Sequence, residues 1–206
     1  MKHTIYIETM KVIIFGSNEC SLLAKFYFKK QGDSVVAFCE DKKFIKKNSK
    51  ENTPIIPFEN IKKYFSEKDH VFFAPLYDNK LREIKSKQIE KKGYKLTSYI
   101  SDKALINTKK IGKNCFIFEN NVIQPYVKIG NNVIMWSGNH IGHHSVIEDN
   151  NFFSSHVVLS GKCKVKKYCW FGVNSTIRDN ITLAEGSFIC MGDKITKNTE
   201  PYSKNY

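Results

Sequence analysis

From residue 111 to about residue 198 the chain repeats every six residues without interruption. Cut from Ile111 it reads IGKNCF, IFENNV, IQPYVK, IGNNVI, MWSGNH, IGHHSV, IEDNNF, FSSHVV, LSGKCK, VKKYCW, FGVNST, IRDNIT, LAEGSF, ICMGDK, ITKN. The first letter is Ile, Leu, Val, Met or Phe in all fifteen blocks, and Gly follows it in four. The fifth letter is mostly small or β-branched, as at Cys115, Val127, Val133, Ser145, Val157, Cys163, Cys169, Ser175 and Ser187. Positions six apart drift around a helix of 3.6 residues per turn, so no α-helix keeps one face with this spacing. A plain strand alternates with period two and ends after a handful of residues. A fixed period of six is met by a β-solenoid, each block supplying one short strand and one corner.

The array resembles the hexapeptide-repeat acyltransferases, whose fold is a left-handed parallel β-helix of triangular section. The resemblance implies three blocks per coil, about eighteen residues per turn and roughly five coils. That hand is an exception to the right-handed crossover rule. The same coil also carries carbonic anhydrases and non-catalytic assemblies, so fold alone does not give the activity.

Composition sets the remaining bounds. Hydrophobic residues at 41% and aromatics at 13% suffice for a core, which excludes a disordered chain. No run of about eighteen apolar residues occurs, so no membrane span is expected. The start, MKHTIYIETMKVIIFG, leads straight into a strand without a signal-peptide cleavage pattern, and Met10 is an alternative start after a nine-residue extension. Cys115, Cys163 and Cys169 take the fifth hexad letter, and no pair among the six cysteines has metal-finger spacing. They read as reduced core thiols of a cytoplasmic protein. The net charge of +13 raises nucleic acid as a partner. Against it, Lys is spread over both halves and Arg occurs only as Arg82 and Arg178. Small phosphate-bearing ligands account better for the excess of Lys.

Ahead of the hexads lies an α/β pattern. Residues 11–15 read as a buried strand, 16–18 as a turn, 19–30 as a helix and 35–39 as a second strand ending at Glu40 and Asp41. This is a βαβ unit with its turn where doubly wound sheets bind ligands. Residues 42–53 read as a surface loop, 54–57 as a short edge, 59–65 as a helix and 71–74 as a third strand. A helix over 80–92 closes at Gly93, and 96–100 leads towards the hexads through a block at Leu105. Only Gly16 stands where a dinucleotide fingerprint needs three glycines, which excludes NAD or FAD. The expected architecture is therefore an α/β N-terminal Rossmann-like domain over 1–100, an all-β left-handed parallel β-helix over 101–198, and a tail over 199–206.

This arrangement resembles, over residues 11–198, the sugar acyltransferases of the sialic-acid O-acetyltransferase and bacillosamine N-acetyltransferase type. The resemblance implies that Gly16, Ser17, Asp41, Tyr77, Asn79 and Arg82 hold a sugar nucleotide. Asp41 reads equally well as an ordinary solvated acid at a strand end. Four of the six histidines fall within 135–161: His140, His143, His144 and His156. Matching block by block places the family's catalytic histidine on His143. Acyl transfer from a thioester needs a base to take the acceptor's proton, and imidazole suits neutral pH. Residues one coil apart stack at about 4.8 Å, which puts His143 under Gly161 and over Pro125. Gly161 is then expected to leave a notch for the pantetheine arm, with nearby N–H groups for the oxyanion.

His144 stands where the bacillosamine type has an orienting acid, and Phe152 where that type has a cofactor-contacting histidine. Glu148 and Asp149 stack beside Lys166 and Lys167, which predicts cross-strand ion pairs. His156, between Gly138 and Asn174, is an alternative base or a substrate contact; His140 is counted with the substrate contacts. Trp136 is either a sugar platform or interface packing. Val173, Met191 and Gly192 fall where the family's coenzyme A groove lies, with Lys162, Lys164, Lys194 and Lys197 near its phosphates. The segment from 195 onward looks like the family's exit segment cut short.

The resemblance thus implies an acetyl-CoA-dependent acyltransferase acting on an amino or hydroxyl group of a nucleotide-linked or glycan sugar, as a homotrimer and without a metal. No cysteine adjoins a histidine in 135–161, which argues for direct transfer rather than an acyl-enzyme. A zinc lyase of the carbonic anhydrase type and a non-catalytic sugar-binding protein are the alternatives. The lyase needs three converging histidines, yet no histidine here has another two coils away.

Overall fold

The computed structural model describes residues 9–205. Residues 1–8, most of the expected N-terminal extension, lie outside the described residues. The described residues divide into two compact units, 9–76 with 88–96 and 77–87 with 97–205.

The first unit is built on one sheet. Strand β1 (Lys11–Phe15) follows its near-continuous apolar sequence, with four of five residues buried. Helix α1 (Glu19–Lys30) starts at Asn18, whose Oδ1 accepts from the Ser21 N–H. Glu19 in its first turn and Lys29 and Lys30 in its last complement the helix dipole. Then come β2 (Ser34–Glu40), β3 (Ser49–Lys50), β4 (Thr53–Pro57), β5 (Val71–Phe73), the end of helix α2 (Asn79–Lys91), whose residues 79–87 belong to the second unit, and β6 (Lys95–Leu96). The strand order is β3-β4-β2-β1-β5-β6, parallel throughout except for the β3–β4 pair. Two expectations change. Part of the loop over 42–53 folds back as β3, so β4 is not the edge. The helix expected over 59–65 is a 3₁₀ turn, Phe58–Lys63, finished by a Tyr64 N–H bond to Ile61 O. Phe58, Ile61 and Phe72 pack in the core with Ile89 from the last turn of α2.

The second unit is the repeat. Three parallel sheets run along it, with strands only two residues long. Face I carries the strands at 105, 122, 140, 158, 176 and 194; face II those at 128, 146, 164 and 182; face III those at 99, 116, 134, 152, 170, 188 and 204. Up to Ile177↔Ile195 each block pairs with the block eighteen residues on, as in Ile123↔Ile141 and Leu159↔Ile177. First letters point inward, and from Ile117 to Ile195 all of them are buried in one continuous core. Burying each such side chain contributes roughly 1.5–3 kcal/mol. The coil extends past the hexads at both ends. Tyr99–Ile100 already pairs with face III, and Lys204–Asn205 closes the same face, so the expected lead-in and tail are strands.

The corners rest on the fourth letter. From Asn114 to Gly192 every fourth letter has a φ between +55° and +78°. Six are Asn and three are Gly, the residues that tolerate the left-handed region best. His144 and His156, also enriched at positive φ, and Tyr126, Lys162 and Tyr168, which are not, hold the same conformation. Asparagines stack at one corner, Asn114 Nδ2 donating to Asn132 Oδ1 at 2.9 Å and Asn132 Nδ2 to Asn150 Oδ1 at 2.8 Å.

The first turns of α2 lie on the coil. Arg82 is fully buried; its Nε donates to Asn132 O at 2.8 Å, and Nη2 to Asn151 O at 3.2 Å and Asn79 Oδ1 at 2.8 Å. Tyr77 meets Phe152 edge-on, and Phe152, Trp170 and Phe188 stack along face III at 5.4 and 4.7 Å. Tyr168 donates to Glu83; that bond pushes the phenol up to about 12, and Lys87 and Tyr168 hold the Glu83 carboxyl below its ordinary value.

Candidate active site

Four histidines fall on three parts of the coil. His143 and His144 occupy the corner between faces I and II, and both are exposed. His144 is left-handed, with φ +60°. The two Nδ1 atoms stand 3.0 Å apart, with the rings nearly perpendicular. The corner is tied to both neighbouring coils. Below, the His143 N–H donates to Gln124 Oε1 at 2.8 Å and the His144 N–H to Pro125 O at 3.3 Å. Above, His143 O accepts from the Lys162 N–H at 2.8 Å. The Tyr126 ring lies 4.6 Å from that of His144, tilted by 32°.

A β-carbon on Gly161 would stand 2.8 Å from His143 Nε2 and 2.9 Å from Cε1. The expected empty notch at Gly161 is therefore filled by the imidazole itself. Gly161 has no positive φ, so its backbone does not require glycine; the ring does. Of the nearby N–H groups, those of Ser160 and Lys162 already serve Ile177 O and His143 O. An Nδ1–Nδ1 bond needs one proton, and whichever imidazole donates it keeps a bare Nε2 when neutral. A bare imidazole nitrogen at an exposed corner is chemically a general base.

His156 lies one corner away, between faces III and I, its ring 2.6 Å from where a β-carbon on Gly138 would be. Val173 and Met191 are exposed at that same corner, 40% and 76%, and Gly192 (φ +76°) has open space above it. The residues matched to the cofactor therefore split: Gly161 and Lys162 adjoin His143, while Val173, Met191 and Gly192 lie on the III/I corner that His156 occupies lower in the coil. His140 points outward from face I between Val122 and Val158.

Several expected site residues have structural work instead. Arg82 and Asn79 bind coil carbonyls, Asn79 Nδ2 donating to Cys169 O, so neither presents its polar head to a nucleotide. Phe152 is 5% exposed, covered by Tyr77 and Trp170, which leaves no face for a cofactor. Trp136 is sandwiched between Phe118 and Tyr77 at 5.2 and 6.2 Å, which is packing rather than a free platform. Glu148 pairs with Lys166 at 2.7 Å as expected, but Asp149 accepts from the Asn131 N–H at 2.8 Å instead of meeting Lys167.

In the first unit, Gly16 (φ +100°) ends β1, its N–H donating to Cys39 O at 2.7 Å. Asp41 precedes a short 3₁₀ turn whose Phe44 N–H donates to Asp41 O. Ser17 borders a concavity of about 480 Å³ shared with Phe44, Lys46, Lys47 and Lys50, and Lys50 Nζ donates to Ser17 O at 2.8 Å. These lysines escape a sequence reading that treats 42–53 as loop. The available signal is a Lys-rich run following a strand of a parallel sheet.

Cys115, Cys163 and Cys169 are buried in the coil, and burial pushes the Cys115 and Cys169 thiols up to about 12. Among the described residues no three of His, Cys, Asp and Glu group closely enough to hold a metal ion, and no helix is long and apolar enough to cross a membrane.

No protein-family model matches the sequence. Solved structures match over nearly the whole chain. One is a histidine-to-asparagine mutant of perosamine N-acetyltransferase from Caulobacter crescentus in complex with CoA and GDP-perosamine: TM-score 0.84, 15% identity, covering 94% of this chain and 92% of that one. Another is the acetyltransferase domain of PglB from Neisseria gonorrhoeae FA1090 in complex with acetyl coenzyme A: TM-score 0.79, 16% identity, 91% and 93% covered. A third is WeeI from Acinetobacter baumannii AYE: TM-score 0.85, 16% identity, 95% and 96% covered. At such identities the likeness shows the fold: the three-faced parallel coil fits a left-handed β-helix acetyltransferase fold.

Proposed function

We propose that this chain is an acetyl-CoA-dependent sugar acyltransferase, with His143 as general base. The observation that carries the reading is the I/II corner: an exposed imidazole, hydrogen-bonded through Nδ1 to His144 and seated over a glycine that only a side chain explains. Support comes from the fold shared with proteins crystallised with CoA and GDP-perosamine or with acetyl coenzyme A. His143 Nε2 takes a proton from the acceptor's amine or hydroxyl as that group attacks the thioester carbonyl. The tetrahedral adduct then collapses, expelling the CoA thiolate, which leaves as the thiol after protonation. Both substrates are bound together, with no acyl-enzyme.

The first unit, a Rossmann-like domain on this reading, holds the sugar nucleotide through Gly16, Ser17 and Asp41, with Lys46, Lys47 and Lys50 near its phosphates. The protein works in the cytoplasm as a homotrimer. In a trimer packed along the coil axis, the I/II corner with His143 can face a neighbour's III/I corner carrying Val173, Met191 and Gly192. A zinc lyase would need three imidazoles on one ion; here two share a corner and His156 occupies another.

The test is release of the CoA thiol from acetyl-CoA, followed against a panel of nucleotide-linked amino and neutral sugars. Acceptor-dependent release supports acyl transfer. Binding of a sugar without release leaves only a binding protein, and CO₂ hydration activity would establish the lyase.

A further inference from the structure

The residue after the base is itself an imidazole, and this has a consequence for proton counting. With Nδ1 to Nδ1 at 3.0 Å, one proton lies between the rings of His143 and His144. Two neutral arrangements exist. If His144 donates, His143 accepts at Nδ1 and carries its own proton on Nε2, which leaves no base over Gly161. If His143 donates, its Nε2 is bare and His144 carries its proton on the outer nitrogen. We infer that His144 is a positioning residue that accepts the Nδ1 proton of His143, holding the bare-Nε2 tautomer, so that the base answers to two protons rather than one. This rests on the reading of His143 as base.

A carboxylate in the same place would orient the ring and stay charged. A neutral imidazole does so only until it is protonated. Protonated His144 has no acceptor left, and its Nδ1–H points at His143 Nδ1. His143 can then keep the bond only by moving its own proton to Nε2, where catalysis needs a lone pair. Protonating either ring therefore switches the base off.

The cleft beside His144 presents no carboxylate. His144 borders this open space of about 600 Å³ with Asn107, Thr108, Lys109, Lys110, Pro125, Tyr126, Lys128 and Val146. The titratable and charged groups lining that cleft are Tyr126 and Lys128 from the coil below and Lys109 and Lys110 from the first turn; from above, Lys162 meets His143 through its backbone N–H. His144 also takes a left-handed position that Asn fills in six other blocks, so His144→Asn keeps the corner while removing the second titrating ring.

The experiment is ¹⁵N and ¹³C NMR of histidine-labelled wild type and His144→Asn across pH 4.5–9, alongside pH profiles of kcat/KM with acetyl-CoA and the best nucleotide-linked acceptor. The expected wild-type spectrum has His143 protonated on Nδ1 and bare on Nε2 at high pH, with two coupled steps sensed by both rings. In His144→Asn, His143 titrates in a single step. The wild-type acid limb of log(kcat/KM) starts at about tenfold loss per pH unit below the first step and steepens to about a hundredfold below the second, whereas in His144→Asn it stays at about tenfold throughout, for an acceptor that does not itself ionise. An amine acceptor adds the same increment to both proteins and leaves the difference intact. Nε2 protonation of neutral His143, or a His143 titration and limb slope unchanged in His144→Asn, overturns the inference. The base reading fails separately: it falls if His143→Asn retains turnover, whatever tautomer the spectra show.

Discussion

Gly161→Ala isolates the placement of one ring. The added methyl would stand 2.8 Å from Nε2, 2.9 Å from Cε1 and 3.3 Å from Cδ2 of His143. Ordinary contact begins near 3.5 Å, so the ring must retreat by about 0.7 Å. That swing stretches the 3.0 Å bond to His144 towards the limit of useful hydrogen-bond geometry. A misplacement of about 1 Å at a reacting group costs on the order of 10²-fold, and losing a general base altogether costs about 10²–10⁴-fold. The expected loss in kcat is therefore about 10- to 100-fold, with KM for acetyl-CoA changing much less. The fold should not suffer. The position does not need a positive φ, and Gly→Ala at such a site stabilises by roughly 0.4–1 kcal/mol through the unfolded chain. Thiol release gives kcat, circular dichroism gives Tm, and the His143 ring resonances report its position. Turnover within twofold of wild type, with those resonances unmoved, would refute the placement of the imidazole over Gly161.

The other predictions concern the frame around the site. Arg82→Ala should lower stability by about 3 kcal/mol or more, because it strips charged donors from buried carbonyls and leaves a void; Arg82→Lys should not restore it, since one ammonium cannot reproduce the fork. Urea unfolding midpoints measure both, and a change under 1 kcal/mol in Arg82→Ala would show the network to be dispensable. Tyr168 sits above its ordinary value, so its bond to Glu83 stabilises fully below about pH 10 and is lost as pH rises through about 12. A difference absorbance titration of wild type against Tyr168→Phe should show that late phenol, and its absence would break the Tyr168–Glu83 link. Light scattering should give a trimer mass; a monomer at working concentration would remove the shared site between I/II and III/I corners.

Much of the coil is legible because its physics is periodic. A first letter that is apolar in every block can only point inward, and the eighteen-residue pairing follows once three blocks make a turn. The fourth letter held a second signal, Asn or Gly in nine of fourteen corners, that a search for hydrophobic periodicity passes over. Had it been read, it would have placed His144 and His156 at left-handed corners from the sequence alone. The coil's ends stayed hidden because Tyr99 and Lys204 join face III at spacings of seventeen and sixteen residues rather than eighteen. Arg82 misled because the family resemblance carried it over as a sugar-nucleotide contact, and only the fold reveals the carbonyls of Asn132 and Asn151 waiting for it. The stacking rule put His143 beside Gly161 correctly but took glycine for empty space. A glycine next to a ring is as readily the seat of that ring, and spacing cannot tell the two apart.

The most direct test is the steady-state kinetics of His143→Asn beside wild type and His156→Asn, using acetyl-CoA and the acceptor the panel selects. The account predicts a fall of about 10²–10⁴-fold in kcat and kcat/KM together in His143→Asn, with binding of both substrates retained. It predicts a far smaller effect in His156→Asn, whose ring sits at another corner over Gly138. Turnover that survives His143→Asn and disappears in His156→Asn would contradict it, and would move the active site to the III/I corner.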